Sequence, residues 1–213
     1  MEVKILKKEE NFIEFIIKDV NFAFVNALRR AIISEVPVMA IERAIFEKNS
    51  SALPDEVLAH RLGLIPLKTP INSYVFQSEC DCNGKGCAKC TAEFTMDVKC
   101  PEENETITIY SKDLIPKDLN VVPLYDNIPI VILGKGQEIK LEAKAILGKG
   151  TEHAKWQAGL ASYEENNNEF KFFIESFGNY NAKDLLNLAI DTLIEENEKF
   201  KKYVLSIKNG KNI

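Results

Sequence analysis

The stretch FAFVNALRRAIISEVP, residues 22–37, decides the fold. Read as a helix at about 100° per residue with Leu28 at the origin, it sets Phe24, Val25, Ala31 and Ile32 within roughly 60° of that residue. Phe22 and Ile33 fall at roughly 120° to 140°, so the apolar arc spans about 200°, twice what an ordinary surface helix needs. Such a helix is expected to touch its own sheet on one side and a second body on the other. The competing expectation is a central helix buried wholly within one domain. Arg29 falls between the two apolar groups and Arg30 lies on the far side; burying either requires carboxylate or carbonyl partners. Asn21 fits the N-cap, and Pro37 stops the helix by pushing Val36 out of helical geometry.

Working outward, residues 2–18 hold two short apolar runs split by the charged turn KKEEN, the pattern of a β-hairpin. After Pro37, VMAIERAIFEKN reads as a strand. SALPDEVLAHRLGLIPLK holds a short helix, with Pro54 in its first turn, Asp55 and Glu56 at its positive end and Gly63 just past its close. Between about 71 and 150 the chain becomes β-rich: EFTMDVKC, ETITIYS, PIVILG and QEIKLEAKAIL are strand candidates separated by Pro, Gly and Asp. EFKFFIESF, residues 169–177, is a strong strand closed by Gly178, and EENNNE, residues 164–169, reads as a polar hairpin turn before it. The last helix is expected from about Asn181 to Val204, with Asn181 as cap and Asp184 completing a weakened capping box. On it, Leu186, Ile190, Leu193, Phe200 and Val204 line one stripe, which Leu185, Ala189, Ile194 and Tyr203 widen to about half the circumference. Two broad apolar helices leave much surface to cover. A permanent partner subunit would cover it, and a thick monomeric core is the alternative.

The chain has 213 residues, a net charge of −5 and 46% hydrophobic content, which suits one or two domains with a real core. The acidic balance argues against nucleic-acid binding through the whole surface. No apolar run approaches the roughly 20 residues that span a bilayer, so no membrane partner is expected. The start, MEVKILKKEENFIEF, lacks the apolar core of a signal peptide. Five cysteines without a secretory signal point to a reducing, cytoplasmic setting, where clustered thiols mean metal or redox chemistry.

Four of them form CDCNGKGCAKC, residues 80–90: Cys80, Cys82, Cys87 and Cys90. Four thiolates this close can converge on one tetrahedral ion, and Gly84 and Gly86 allow the tight turn that joins the pairs. Structural zinc is the leading expectation. An iron–sulfur cluster is the second, because Cys82, Cys87 and Cys90 match the first three ligands of the plant-type spacing; Cys100 lies too near to supply the fourth. Lys85 and Lys89 flank the cluster, as in some nucleic-acid-binding zinc ribbons.

Assembled catalytic chemistry is not legible. GKG recurs at 84–86, 134–136 and 148–150 without the Walker or dinucleotide spacing. There is no nucleophile elbow. His60, in LAHRLG, and His153, beside Trp156, are the only histidines, and packing or contact roles are expected of both. No catalytic residue is assigned.

NALRRAIISEVPVMAIE (26–42), AHRLGLIPL (59–67), LGKGTEHAKW (147–156) and FFIESFG (172–178) occur in that order. Together they resemble the α-like subunit family of multisubunit RNA polymerases, and in particular its archaeal D-type branch. That branch is the counterpart of the third-largest subunit of eukaryotic RNA polymerase II and of the amino-terminal domain of bacterial α. The resemblance implies an α+β fold: a discontinuous dimerisation domain of a sheet and two long helices, residues 1–45 and 157–213, with an inserted mostly β domain, residues 46–156. It implies a non-catalytic assembly subunit that heterodimerises with a small α-like subunit, L. That dimer is the platform for the small subunits N and P and for the large catalytic subunits, so DNA is met only through the holoenzyme. It further implies that Arg29 and Arg30 contact the second-largest subunit. Phe22, Val25, Leu28, Ile32, Ile33, Leu186, Ile190, Leu193 and Phe200 become the dimer seam. The cysteine run resembles the zinc loop of the eukaryotic counterpart with one extra residue in its middle gap. Some archaeal relatives carry an added iron–sulfur domain, and with no cysteine beyond Cys100 that domain is not expected here. A nucleic-acid-binding zinc protein and a small iron–sulfur electron carrier are the competing functions.

Overall fold

Alternation builds the first sheet. In FIEFIIK, residues 12–18, Ile13, Phe15 and Ile17 are buried and the residues between them are not. In EFKFFIES, residues 169–176, Phe170, Phe172, Ile174 and Ser176 are buried in the same period of two. A computed structural model describes residues 1–167 and 169–208. Its elements are β1 (Glu2–Lys8), β2 (Phe12–Lys18), α1 (Phe22–Ser34), β3 (Val38–Asn49), α2 (Asp55–Gly63), β4 (Ala92–Lys99), β5 (Thr106–Tyr110), β6 (Ile115–Pro116), β7 (Pro129–Gly134), β8 (Glu138–Gly148), β9 (Gly159–Asn166), β10 (Glu169–Ser176) and α3 (Ala182–Lys208). It is an α+β protein, mostly sheet with three helices. The chain divides into two compact units, one joining Met1–Val36 to the chain from Gln157 onward and the other running Pro37–Trp156.

The first unit is an antiparallel sheet in the order β1-β2-β10-β9, with α1 and α3 packed against it and each other. Phe15 stacks on Phe172 with ring centroids 5.3 Å apart, and Tyr163 stacks on the other side of Phe172 at 6.1 Å. Asn21 caps α1 by accepting from the Ala23 N–H at 2.8 Å, and α1 ends at Ser34. Asn181 accepts from the Asp184 N–H at 2.8 Å and starts α3. The strand β9 is not legible in advance, because GLASYEEN starts on a glycine and ends on three polar residues. The glycine is required: a β-carbon on Gly159 would sit 2.4 Å from the Glu175 carbonyl oxygen of the neighbouring strand. The turn expected over 164–169 is shorter than that: Glu164, Glu165 and Asn166 belong to β9 and Glu169 begins β10, while Asn168 lies outside the described residues.

In the second unit, β3-β8-β4-β6 form one antiparallel sheet and β5-β7 a two-stranded ribbon. Met39, Ile41, Leu58, Leu62, Phe94, Met96 and Leu141 belong to one buried cluster with the ribbon's Ile109 and Leu133. The insertion was expected from residue 46; the second unit starts instead at Pro37. The reason is pairing: β3 runs its whole length against β8, from Val38 opposite Gly148 to Asn49 opposite Ile139, and a strand cannot be split from its partner. Two details of α2 also differ from expectation. Pro54 is its N-cap rather than a first-turn residue, and Gly63 is its last residue rather than the one beyond. Gly63 is small for space: a β-carbon there would lie 3.3 Å from the Ile41 carbonyl oxygen.

Candidate metal centre and exposed helix faces

The loop from Phe76 to Thr91 is made of tight turns. Asn83 N–H donates to the Cys80 carbonyl at 3.0 Å, Lys85 N–H to the Cys82 carbonyl at 3.2 Å and Cys90 N–H to the Cys87 carbonyl at 3.0 Å. Asn83, Gly84 and Gly86 adopt φ values of 50°, 76° and 80°, which reverse the chain between the two cysteine pairs. The loop is tied to its stem by the Val75 N–H, which donates to the Lys89 carbonyl at 3.0 Å.

These turns bring the four expected thiols together. Cys80 and Cys87 sulfurs are 3.5 Å apart, Cys82 and Cys90 3.6 Å, and Cys87 and Cys90 3.9 Å. All four ligand atoms lie within 4.8 Å of one another. A tetrahedral ion with metal–sulfur bonds of about 2.3 Å has sulfurs about 3.8 Å apart along each edge. The sulfurs are too far apart for disulfides, whose bond is about 2.05 Å, and all five cysteines are free. Cys100 stands apart: it is buried at the end of β4, with its thiol aimed at the carbonyls of Pro101 and Asn104, 3.7 Å from each. The donor set is therefore four thiols from one loop.

The electrostatics of the cluster fit a cation. Desolvation opposes ionisation of Cys82, but hydrogen bonds from the neighbouring thiols and the Gly86 backbone draw it down to about 6. The Cys82 backbone helps ionise Cys80, yet desolvation and the surrounding sulfurs override it and push Cys80 up to about 12. Cys82 ionises readily and Cys80 resists, so holding both as thiolates takes a cation beside them. Lys89 is not a bare positive charge, since it faces Asp81 at 3.7 Å.

Beside this loop the Tyr74 hydroxyl donates to Asp118 at 2.5 Å. Burial, then this bond to a carboxylate, pushes the phenol well above its ordinary range. The same bond holds Asp118 below the usual carboxylate range.

On α1, Arg29 is half-buried and donates through Nε and Nη2 to Asn26 Oδ1 at 3.2 and 3.0 Å, while Arg30 is exposed. Among the described residues neither arginine has a carboxylate partner within salt-bridge range. The nine seam candidates separate into two groups. Val25, Leu28 and Ile32 are buried within the first unit, so they have no surface to offer a partner. Phe22, Ile190 and Phe200 are exposed, and Ile33, Leu186 and Leu193 are half-buried. Phe24, expected in the core stripe, is exposed too, because cover over α1 begins only at Val25. On α3 the two stripes exchange roles: Leu185 and Ala189 are the buried ones, and the Leu186–Ile190 stripe faces outward.

A further cluster was not foreseen. The separated words AHRLGLIPL and LGKGTEHAKW meet in a cleft of about 460 Å3, lined by His60, Gly63 and Leu64 with Glu152, His153 and Lys155. Lys155 donates to the Ile41 carbonyl at 3.1 Å, pairs with Glu42 and lies 4.3 Å over the Trp156 ring. His153 Nδ1 accepts from the Lys155 N–H at 3.0 Å. The only advance signal was that both words carried the family resemblance.

A sequence model described as "RNA polymerase Rpb3/RpoA insert domain" matches residues 41–167. The chain is 42% identical over 207 residues to DNA-directed RNA polymerase subunit Rpo3 of Methanosphaera stadtmanae, covering 92% of this chain and 75% of that one. It is 33% identical over 247 aligned positions to Rpo3 of Pyrobaculum calidifontis, covering 93% and 95% of the two chains. With Rpo3 of Pyrobaculum neutrophilum the identity is 47% over 161 residues, covering 76% of this chain and 60% of that one. The chain belongs to the Rpb3/RpoA family of RNA polymerase subunits. Its similarity to archaeal Rpo3 runs through both units described above.

Proposed function

We propose that this chain is the non-catalytic, α-like assembly subunit of a multisubunit DNA-dependent RNA polymerase and serves transcription as a scaffold. Its first unit pairs with the small α-like subunit L, and the pair is the platform for the small subunits N and P and the second-largest subunit. The observation that carries this reading is uncovered apolar surface on two helices of one unit. Phe22 is 56% exposed on α1, and Ile190 and Phe200 are 39% and 68% exposed on α3. Large apolar side chains grouped in this way mark an interface. Arg29 and Arg30, on the same helix as Phe22, are assigned to the second-largest subunit. DNA is reached only through the assembled enzyme.

The four-cysteine loop is assigned to zinc as a structural staple. Cys80, Cys82, Cys87 and Cys90 would hold the ion with all-sulfur coordination, which contributes folding energy and leaves no open position for catalysis. The support for this is the single-loop donor set and its near-tetrahedral sulfur spacing.

Co-expression tests the reading. The chain expressed with the small α-like subunit should purify as a one-to-one complex, and that complex should recruit the second-largest subunit. A chain that ignores the small subunit overturns the assignment. Metal analysis of the complex prepared without oxygen should give one zinc and no visible absorbance; iron with a coloured product would overturn the zinc assignment.

A further inference from the structure

The turn between the two cysteine pairs carries a reactive bond. Asparagine is thermally labile, most of all before glycine, which sets no side chain in the path of the attacking backbone nitrogen. Asn83–Gly84 is one of two such pairs in the sequence; the other, Asn209–Gly210, lies outside the described residues. Both Asn83 and Gly84 are exposed. A β-carbon built on Gly84 would meet nothing within 4 Å, so there is open space beside this bond. Among the described residues, the Asn83 side-chain amide and the Gly84 N–H have no hydrogen-bond partner. Asn49, before Ser50, shows the contrast: its amide donates to the Leu53 carbonyl at 2.9 Å and to Asp55 at 2.7 Å, which holds the nitrogen that would have to leave.

What restrains Asn83 is the turn itself. The Lys85 N–H closes it by donating to the Cys82 carbonyl at 3.2 Å. The two central residues have φ values of 50° and 76°, the pattern of a mirror-image type I′ turn. In that turn ψ at the first central residue is about +30°, which sets the Gly84 nitrogen nearly opposite the Asn83 β-carbon. A five-membered ring needs the two eclipsed, so ring closure requires the turn to open. Gln77 Nε2 donates to the Gly84 carbonyl at 3.2 Å and helps to keep the turn shut.

We propose that Asn83–Gly84 is a site of spontaneous succinimide formation, gated by closure of the cysteine loop. The Gly84 nitrogen bonds to Asn83 Cγ and the Cγ–Nδ2 bond breaks. The departing nitrogen leaves as ammonia, taking up the Gly84 amide proton through water. Water then opens the ring. Cleavage between Cγ and the ring nitrogen leaves an ordinary aspartate. Cleavage between the backbone carbonyl carbon and that nitrogen leaves isoaspartate, with the chain rerouted through the β-carbon. No oxidant or reductant takes part.

The position gives the modification a consequence. The arc from Cys82 to Cys87 sets the Cys80–Cys87 and Cys82–Cys90 sulfurs 3.5 and 3.6 Å apart. Isoaspartate adds a methylene to that arc and a free carboxylate beside it, so the turn is lost and the four sulfurs no longer converge. The ordinary aspartate keeps the backbone length and keeps the site. The gate, though not the site of modification, rests on the zinc assignment made above: an ion held by four sulfurs opposes local opening of the loop, and the stripped loop has only its hydrogen bonds. Metal loss followed by ring closure and opening to isoaspartate is therefore a one-way step, after which the loop does not reload.

The test follows Asn83 in the full chain in three states: zinc-loaded, stripped by a chelator under reducing conditions, and unfolded in urea. Peptide mapping by mass spectrometry measures conversion, and an isoaspartyl methyltransferase counts isoaspartate. The unfolded chain sets the unhindered rate, and the loaded chain should convert several-fold more slowly than the stripped one. Gln77→Ala, still loaded, should convert faster than loaded wild type, which tests the gate without stripping. Stripped wild type should lose its capacity to reload zinc in step with its isoaspartate. Asn83→Gly fits the turn and has no amide to lose, so it should remain reloadable after the same time stripped, and Asn83→Asp should load zinc as wild type does. An Asn83 that stays intact in the stripped chain while the unfolded chain converts overturns the proposal. So do equal rates in the loaded and stripped chains, or isoaspartate-bearing chains that reload fully. A chain that never binds zinc refutes the zinc assignment, and conversion of Asn83 in that chain as purified upholds the modification site by itself.

Discussion

Gly148 lies directly against the indole of Trp156: a β-carbon on the glycine would sit 2.3 Å from the ring. Trp156 is buried, and its Nε1–H donates to the Ile146 carbonyl at 3.3 Å, so the ring has no room to withdraw. Lys155 rests its ammonium on this ring, which makes the glycine a support for one wall of the cleft that also holds His60 and His153. Gly148→Ala should therefore destabilise the protein by about 2–3 kcal/mol, the cost of overpacking a closed site. Urea unfolding of the two proteins checks this, and an alanine variant as stable as wild type would mean that the indole can shift.

The cysteine loop makes a separable prediction. Replacing Cys82 or Cys90 with serine should abolish bound zinc and loosen the loop, while the sheet β3-β8-β4 persists. The reason is that this sheet's core, around Phe94, Met96 and Leu141, contains none of the four ligands except through the loop's attachment. Metal analysis with hydrogen exchange checks it: rapid exchange should be confined to the loop and its stem around Tyr74. Zinc retained by either variant would remove that cysteine from the ligand set.

Tyr74 and Asp118 predict a pH effect with a definite sign. Asp118 titrates lower in the folded chain than in an unfolded one, chiefly because Tyr74 donates to its carboxylate. Its stabilising contribution is therefore complete above the unfolded value of about 3.9 and disappears as pH falls through the depressed folded value. Tyr74→Phe should cost about 1–2 kcal/mol near neutrality, as expected for a hydrogen bond to a charged group. The cost should shrink in acid as Asp118 gains its proton. Carboxyl-detected NMR titration should show Asp118 moving upward in the variant. No movement would mean that Asn120, which also donates to Asp118, accounts for the shift.

The two groups of seam candidates should respond differently. Leu28→Ala removes a side chain closed within the first unit and should cost about 2–5 kcal/mol with or without a partner. Phe22→Ser removes an exposed ring and should change the isolated chain's stability by no more than about 0.5 kcal/mol, while weakening the complex. Thermal melts beside a pull-down separate these cases. Equal losses of stability would show that Phe22 is covered by the chain itself.

This division marks where the sequence stops being informative. The hairpin, the ends of α1, β3 and the four-thiol loop were legible, because each rests on local chemistry: an Asn cap, a proline stop, a period of two, a cysteine spacing. Which face of α3 meets the core was not. A helical wheel identifies Leu185–Ala189 and Leu186–Ile190 as neighbouring apolar stripes, but only the position of the sheet decides which is covered. The strand β9 was hidden by Gly159, whose presence answers to a carbonyl on the adjacent strand. The cleft joining His60 to His153 depends on contacts between segments about ninety residues apart, beyond the reach of local patterns.

Arg29 and Arg30 give the prediction closest to function. Asn26 accepts from two nitrogens of Arg29 and so fixes the direction of its guanidinium, whereas Arg30 extends into solvent. Held on the same helix as the exposed Phe22, a pre-aimed guanidinium can bind a carboxylate or carbonyl with less loss of rotamer freedom than a free one. Replacing both arginines with alanine should spare the complex with the small α-like subunit and weaken recruitment of the second-largest subunit. Asn26→Ala should give a partial loss, because the charge remains and only its aim is relaxed. Pull-down titrations with purified subunits distinguish the outcomes. Undiminished recruitment by the double variant takes both arginines out of that interface, and loss of the small subunit instead would assign them to the dimer seam.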